Sequence, residues 1–114
     1  MHGLIIKKEW LDKILDGSKI WEIRGHPTKR RGRIALIQSR SGTIVGTCDL
    51  IQVWGPLSGC EMINNYDCHY VPPATLEYQL IYAWELRNVK AFKKPVPYKH
   101  PQGAVIWVKL EMEE

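Results

Sequence analysis

Leu4, Ile5 and Ile6 form a short apolar run after Gly3, and the pattern then changes period. Between Lys8 and Asp16 the apolar residues Trp10, Leu11, Ile14 and Leu15 fall on one side of a helix. The spacing predicts a buried strand at Gly3 to Ile6 and an amphipathic helix at Lys8 to Asp16. Gly17 stands where the helix must stop with a residue at positive φ, which glycine adopts at least cost. Ser18 to Arg24, with Ile20, Trp21 and Ile23, reads as a strand, and Gly25, Pro27 and Gly32 mark a turn-rich connection after it. Arg33 to Ser39 and Thr43 to Val53 read as two further strands joined by a tight hairpin at Ser41-Gly42. Gly55 to Thr75 has no clean period and reads as a loop excursion holding a short helix. A β-rich run from Glu77 to Val89 follows, then a stiff proline-bearing surface connection from Lys94 to Pro101, and a closing strand within Ala104 to Met112. Five or six strands with one early helix and no βαβ rhythm imply an α+β fold built on a small, strongly bent sheet or barrel.

At 114 residues the chain is expected to form one domain, 1–114, long enough to bury a core without staples. A hydrophobic fraction of 45% with 25% charged residues argues against disorder and fibrous repeats. No apolar run approaches the roughly 18 to 20 residues of a membrane span, and Met1 to Lys8 carries no secretory signal, so a soluble cytoplasmic protein is expected. Cys48, Cys60 and Cys68 fit free thiols in a reducing compartment.

The net charge of +4 is modest, but its distribution is uneven. No acidic residue lies between Glu22 and Asp49, whereas Arg24, Lys29, Arg30, Arg31, Arg33 and Arg40 all do. Such a stretch favours an acidic partner, with nucleic acid the common one; a solvated basic loop gives the same pattern.

Within Asp16 to Arg24, three charged residues interrupt an apolar strand directly after the glycine stop. Strand alternation puts Glu22 and Arg24 on one face, and Lys19, at the strand's start, can twist toward either. On a concave face the pair would be half-buried and held by mutual or ligand hydrogen bonds; on a convex face it would be an exposed ion pair.

Gly17-x-Lys19-x-x-Glu22-x-Arg24 resembles the G-x-K-x-x-E-x-R signature of ASCH domains, and Trp10-Leu-x-x-Ile-Leu-x-Gly17 is similar to the helix that precedes it there. The resemblance continues through Arg31-Gly32-Arg33-Ile to Ser39, Ile44-Val45-Gly46, Tyr82-Ala83-Trp84, Lys94 to Tyr98 and Gly103 to Trp107, and is poorest across Gly55 to Thr75. It implies a small PUA-like mixed β-barrel with one N-terminal helix and one or two short helices. It also implies a cleft for single-stranded RNA or a modified nucleoside lined by Lys19, Glu22 and Arg24; the acid-free basic stretch adds Lys29, Arg30, Arg31 and Arg33 as candidate binding residues, and Ser39, the small polar end of the resembling strand, is a further one.

Some small members are amidohydrolases acting on acetylated cytidine, with a threonine three residues after the motif lysine; here that position is Glu22. Others are described as ribonucleases. For an enzyme of either kind Lys19 and Glu22 are the catalytic candidates, with Glu22 as general base on water and Lys19 stabilising the oxyanion. A protein-interaction or coactivator-type module is the third reading.

Trp21, Trp54, Tyr82 and Trp84 fall on or beside strands, and Tyr82 and Trp84, of like parity, are the candidates for a wall on which a base stacks. Cys60, Cys68 and His69 lack the knuckle spacing of a zinc site, and a cysteine nucleophile served by His69 or His26 has no local signature. No phosphate-cradling loop or dinucleotide fingerprint is present; no cofactor or metal is expected, and the assembly is expected to be a monomer or weak dimer.

Overall fold

The computed structural model describes residues 1–72 and 78–112. Element order is β1 (His2–Ile6), α1 (Lys8–Leu15), β2 (Trp21–Arg24), β3 (Gly32–Gln38), β4 (Thr43–Trp54), α2 (Gly59–Asn64), α3 (Tyr66–His69), β5 (Tyr82–Pro97) and β6 (Trp107–Lys109). The strands form one sheet in the order β2-β5-β4-β3-β1-β6, with β1 and β3 parallel and every other pairing antiparallel.

The long central pair, β4 and β5, bends the sheet. Their register slips between Ile44 and Gly46, between Thr47 and Asp49, and between Leu50 and Gln52. Each slip adds twist and curvature, so the sheet curls into a half-barrel. At Gly46 the two strands come so close that a Cβ would stand 2.6 Å from the Lys90 carbonyl oxygen.

Helix α1 plugs the concave face with Leu11 and Ile14, which join Leu4, Ile6, Ile34, Leu36, Cys48, Leu50, Trp84 and Leu86 in the main core. Ala35 and Ile37 point to the other face and pack with Ile44, Val108 and Leu110. Strand β3 is therefore covered on both sides, which accounts for the unbroken apolar run Ile34 to Ile37. A third cluster, Ile23, Met62, Val71 and Ala83, seats α2 against β2 and β5.

The hydrophobic pattern predicts most of this arrangement, and the departures have physical reasons. The segment from Gly55 holds two short helices, and α2 opens with a capping box: Ser58 Oγ accepts from the Glu61 amide at 3.1 Å while Glu61 Oε1 accepts from the Ser58 amide at 2.9 Å. The strand expected from Glu77 begins at Tyr82; Glu77 and Thr75 themselves lie outside the described residues. Strand β5 also runs through Pro95 to Pro97, where a stiff connection is expected from sequence. Beyond Leu86, whose amide donates to the Ile20 carbonyl, it is paired on the β4 side only, so the missing proline N–H groups break no ladder. The β3–β4 turn spans Ser39 to Gly42, two residues longer than the expected hairpin, with Arg40 and Gly42 at φ 62° and 67°.

The half-barrel stays open between its edge strands β2 and β6. Side chains bridge that gap: the Trp84 and Trp107 rings stack with centroids 5.8 Å apart and planes 13° from parallel. Among the described residues no helix is long and apolar enough to cross a membrane.

Gly46→Ala is expected to destabilise the protein by about 1–3 kcal/mol, because the added methyl meets backbone on the facing strand. Gly59→Ala, with open space around it in α2, is expected to be neutral or stabilising. Urea unfolding of the two variants checks this; equal stabilities would contradict the close β4–β5 approach.

Candidate functional site

The turn that ends α1 launches the site. Gly17 at φ 87° reverses the chain, and the Lys19 amide donates back to the Lys13 carbonyl at 3.0 Å. The next residues enter β2, whose cross-strand register sets their facing: Glu22 lies opposite Trp84, a main-core residue, and Arg24 opposite Tyr82, while Ile23 lies opposite Ala83 in the α2 cluster. Glu22 and Arg24 thus share the concave face.

Arg24 clasps Glu22 through two bonds to one oxygen, from Nε at 3.0 Å and Nη2 at 2.9 Å, and Nη2 also donates to the Ile5 carbonyl of β1 at 2.8 Å. The guanidinium lies over the Trp84 ring, 5.5 Å from its centroid. Lys19 is buried to 1% exposure. Its Nζ donates to the His69 carbonyl at 2.6 Å, stands 3.9 Å from Glu22 Oε1 and sits 5.0 Å from the Trp10 ring centroid.

Two polar atoms of this constellation are unspent. Glu22 Oε1 accepts no hydrogen bond and Arg24 Nη1 donates none, yet every fully buried side-chain nitrogen or oxygen among the described residues has a partner. Both atoms are therefore reached by solvent. Glu22 and Arg24 line a cavity of about 230 Å³ whose wall also includes Lys7, Trp10, Ser39 and Tyr78. At roughly 30 Å³ per liquid water, that is the room of about eight waters, a space of single-heterocycle size. Tyr78 rests so closely on Gly25 that a Cβ there would stand 2.6 Å from its ring.

Burial pushes Lys19 down to about 8; the Glu22 carboxylate opposes that shift and Arg24 adds to it. His69 is also buried, and desolvation holds its imidazole below the ordinary range. Nδ1 accepts from the Val71 amide at 2.9 Å, which leaves Nε2 to donate to the Met62 carbonyl at 2.8 Å. Both ring nitrogens are spent on the α2–α3 fold, so His69 serves the site through its carbonyl and is no base for a cysteine. Burial raises the Cys48 thiol to about 12, and burial with Asp67 raises that of Cys68. Among the described residues no three metal-ligating side chains converge.

The structure brings Glu22, Arg24 and Ser39 into one cavity with Lys19 directly behind it. The remaining candidates lie elsewhere. Lys29 and Arg30 are exposed on an open groove of about 570 Å³ with Thr28 and Trp107, and Arg30 lies 5.0 Å over the Trp107 ring. Arg31 donates to the Thr28 and Arg30 carbonyls of its own loop. Arg33 is committed to Asp49, Thr47 and the Asn88 carbonyl across β3, β4 and β5. Trp84 is fully buried between Arg24 and Trp107, with its indole N–H on the His26 carbonyl, and half-buried Tyr82 packs against the core outside the cavity wall. The rings that do line the cavity, Trp10 and Tyr78, carry no sequence signal beyond their type; Trp10 reads from sequence as a core position of α1.

A bent six-stranded α+β half-barrel plugged by one helix, with a charged cluster at its open seam, defines a PUA-like domain. The chain belongs to the ASCH domain family, whose model matches residues 4–96, a family generally associated with RNA binding. Among solved structures it is similar to the crystal structure of an ASCH protein from Zymomonas mobilis, at 15% identity and a TM-score of 0.75 over 96% of this chain and 87% of that one. One single-residue variant of that protein aligns equally well, and another does so at 16% identity with a TM-score of 0.74, covering 96% and 89%. No curated protein matches the chain.

The buried lysine leaves a measurable signature. Its folded pKa, about 8, lies below its ordinary 10.5, so below pH 8 both states hold the proton and the burial cost is present in full. Between pH 8 and 10.5 the folded state gives up the proton first and the cost is relieved. Relative to Lys19→Met, the wild type is expected to gain roughly 3 kcal/mol of unfolding free energy across that window, measured by urea unfolding at several pH values. Parallel pH profiles would contradict the burial.

Proposed function

We propose that the cavity receives one base of single-stranded RNA, or a modified nucleoside, and that Glu22 and Arg24 read its edge. The observation that carries this is the pair of unspent atoms: an acceptor, Glu22 Oε1, beside a donor, Arg24 Nη1, in a base-sized space. An exocyclic amine next to a ring nitrogen or carbonyl presents the complementary pair. Trp10 and Tyr78 supply aromatic surface for the ring, as an unstacked base requires. Lys7, Lys19 and Arg24 against one carboxylate leave the cleft net positive, which suits a phosphate attached to the base. Lys29 and Arg30 contribute at a distance, as part of the basic field along which a strand tracks.

Binding is favoured over hydrolysis by the position of Lys19. Its ammonium is bonded to the His69 carbonyl and shows no surface to the cavity, so it supports Glu22 from behind and is poorly placed to meet a substrate oxyanion. The hydrolase alternative keeps Glu22 as a general base facing the cavity, and acetylated cytidine or RNA incubated with wild type and Glu22→Gln decides it. Turnover that the variant loses would put catalysis first.

Fluorescence anisotropy with short single-stranded RNA at low salt checks the binding reading. Arg24→Ala and Tyr78→Ala are each expected to weaken binding about tenfold or more, consistent with loss of about 1–3 kcal/mol per recognition contact. Neutralising Lys29 and Arg30 is expected to flatten the salt dependence with a smaller loss of affinity. Affinity indifferent to Arg24 and Tyr78 would place the RNA elsewhere.

A further inference from the structure

A second cavity, of about 550 Å³, adjoins the first. It lies among the β3–β4 turn, the end of β5 and the loop before β6, and Ile5, Ser39 and Val105 line both spaces. The two spaces therefore meet along a border formed by these three residues. On that border Val105 is 76% exposed, an apolar side chain left open to water where a ligand spanning both spaces would cover it.

The border and the far side are equipped for an anion and a ring. The Ser39 hydroxyl makes no hydrogen bond among the described residues, and neither does the exposed Arg40 guanidinium beside it. Arg40 is carried at φ 62°, a conformation costly for a residue with a side chain. Tyr98 is held in place: its amide donates to the Gly42 carbonyl at 3.1 Å, and its hydroxyl lies 2.7 Å from His100 Nδ1, whose other nitrogen donates to the Ala104 carbonyl at 2.9 Å. Among the described residues no carboxylate lines this second space.

We propose that this second space is a second nucleotide subsite: a single-stranded RNA seats one base against Glu22 and Arg24, its phosphodiester crosses the border beside Ser39 and Arg40, and the adjoining base lies against Tyr98. The inference rests on the reading of the first cavity given above and deepens it, since it makes the ligand a strand of at least two nucleotides. A free nucleoside fills only the smaller of the two spaces. Ser39 lines both spaces, and Arg40, the next residue, lines the second together with Tyr98, so a hydroxyl, a cation and a ring follow one another from the shared border into the second space, groups that suit a linking phosphate and the base after it.

Affinities of the four ribonucleoside 5′-monophosphates and the corresponding homodinucleotides, measured by calorimetry, test it. The dinucleotides are expected to bind at least tenfold more tightly than the mononucleotides. Arg40→Gly removes the cation while relieving the positive φ, so the fold is retained, and thermal unfolding verifies this. This variant is expected to abolish the dinucleotide gain and leave mononucleotide affinity unchanged, Arg40→Lys to keep part of the gain, and Lys94→Ala, which lines neither cavity, to keep all of it. A gain that survives Arg40→Gly, or dinucleotides no tighter than mononucleotides, overturns the second subsite while the first stands. Mononucleotides that fail to bind, or bind indifferently to Arg24→Ala, remove the first subsite and this proposal with it.

Discussion

The Glu22 carboxylate lies between two cations, clasped by the Arg24 guanidinium on one oxygen and approached at 3.9 Å by the Lys19 ammonium on the other. Three charges withdrawn from water in this way cost desolvation energy that mutual attraction seldom returns in full, so the cluster is a poor device for stability alone. What it does is tie distant pieces of chain together. Lys19 anchors to the carbonyl of His69 in α3, and Arg24 to the carbonyl of Ile5 in β1, so β2 is fixed to both. Loss of any one member would strand the others: an ammonium without its carboxylate, or a carboxylate facing one cation where it had two.

The cluster's location follows from how the sheet is bent. Slips of register along β4 and β5 curl the strands toward closure, but β2 and β6 never pair, and the seam is bridged by side chains. Arg24 sits at this seam, with Trp84 beneath it and Trp107 beneath that. A complete barrel would have spent the space on backbone hydrogen bonds. The open seam leaves a cleft with Trp10 and Tyr78 in its wall, and the two cations are fixed by main-chain carbonyls, so the recognition groups are oriented before any ligand arrives.

Much of this was legible in sequence, for reasons that differ by element. Helix α1 and its stop at Gly17 were readable from apolar spacing and from the one residue that takes positive φ freely. Alternation alone placed Glu22 and Arg24 on a common face. The burial of Lys19 was not readable, because its partner is the carbonyl of a residue 50 positions away and its cover, Trp10, reads as an ordinary core residue. Strand parity also misleads about Trp84: it shares a face with the cleft, as expected, but lies beneath Arg24 with no surface left for a base. The charge run was visible while its partition was not, since only the structure separates Arg33, committed to Asp49, from Lys29 and Arg30 in the open. The Ser58-x-x-Glu61 signal for α2 stood in the sequence unread, hidden in a segment whose glycines and prolines suggest only a loop.

The proposed function turns on the unspent edge of the Glu22–Arg24 pair meeting a base in the seam. The most direct measurement is an NMR titration with ribonucleoside 5′-monophosphates, following the Arg24 guanidinium and Trp10 indole resonances beside those of Arg30 and Trp107. Arg24 and Trp10 are expected to shift together, saturably and with one dissociation constant, while Arg30 and Trp107 move little. Shifts concentrated at Arg30 and Trp107, with Arg24 and Trp10 unmoved, would contradict it.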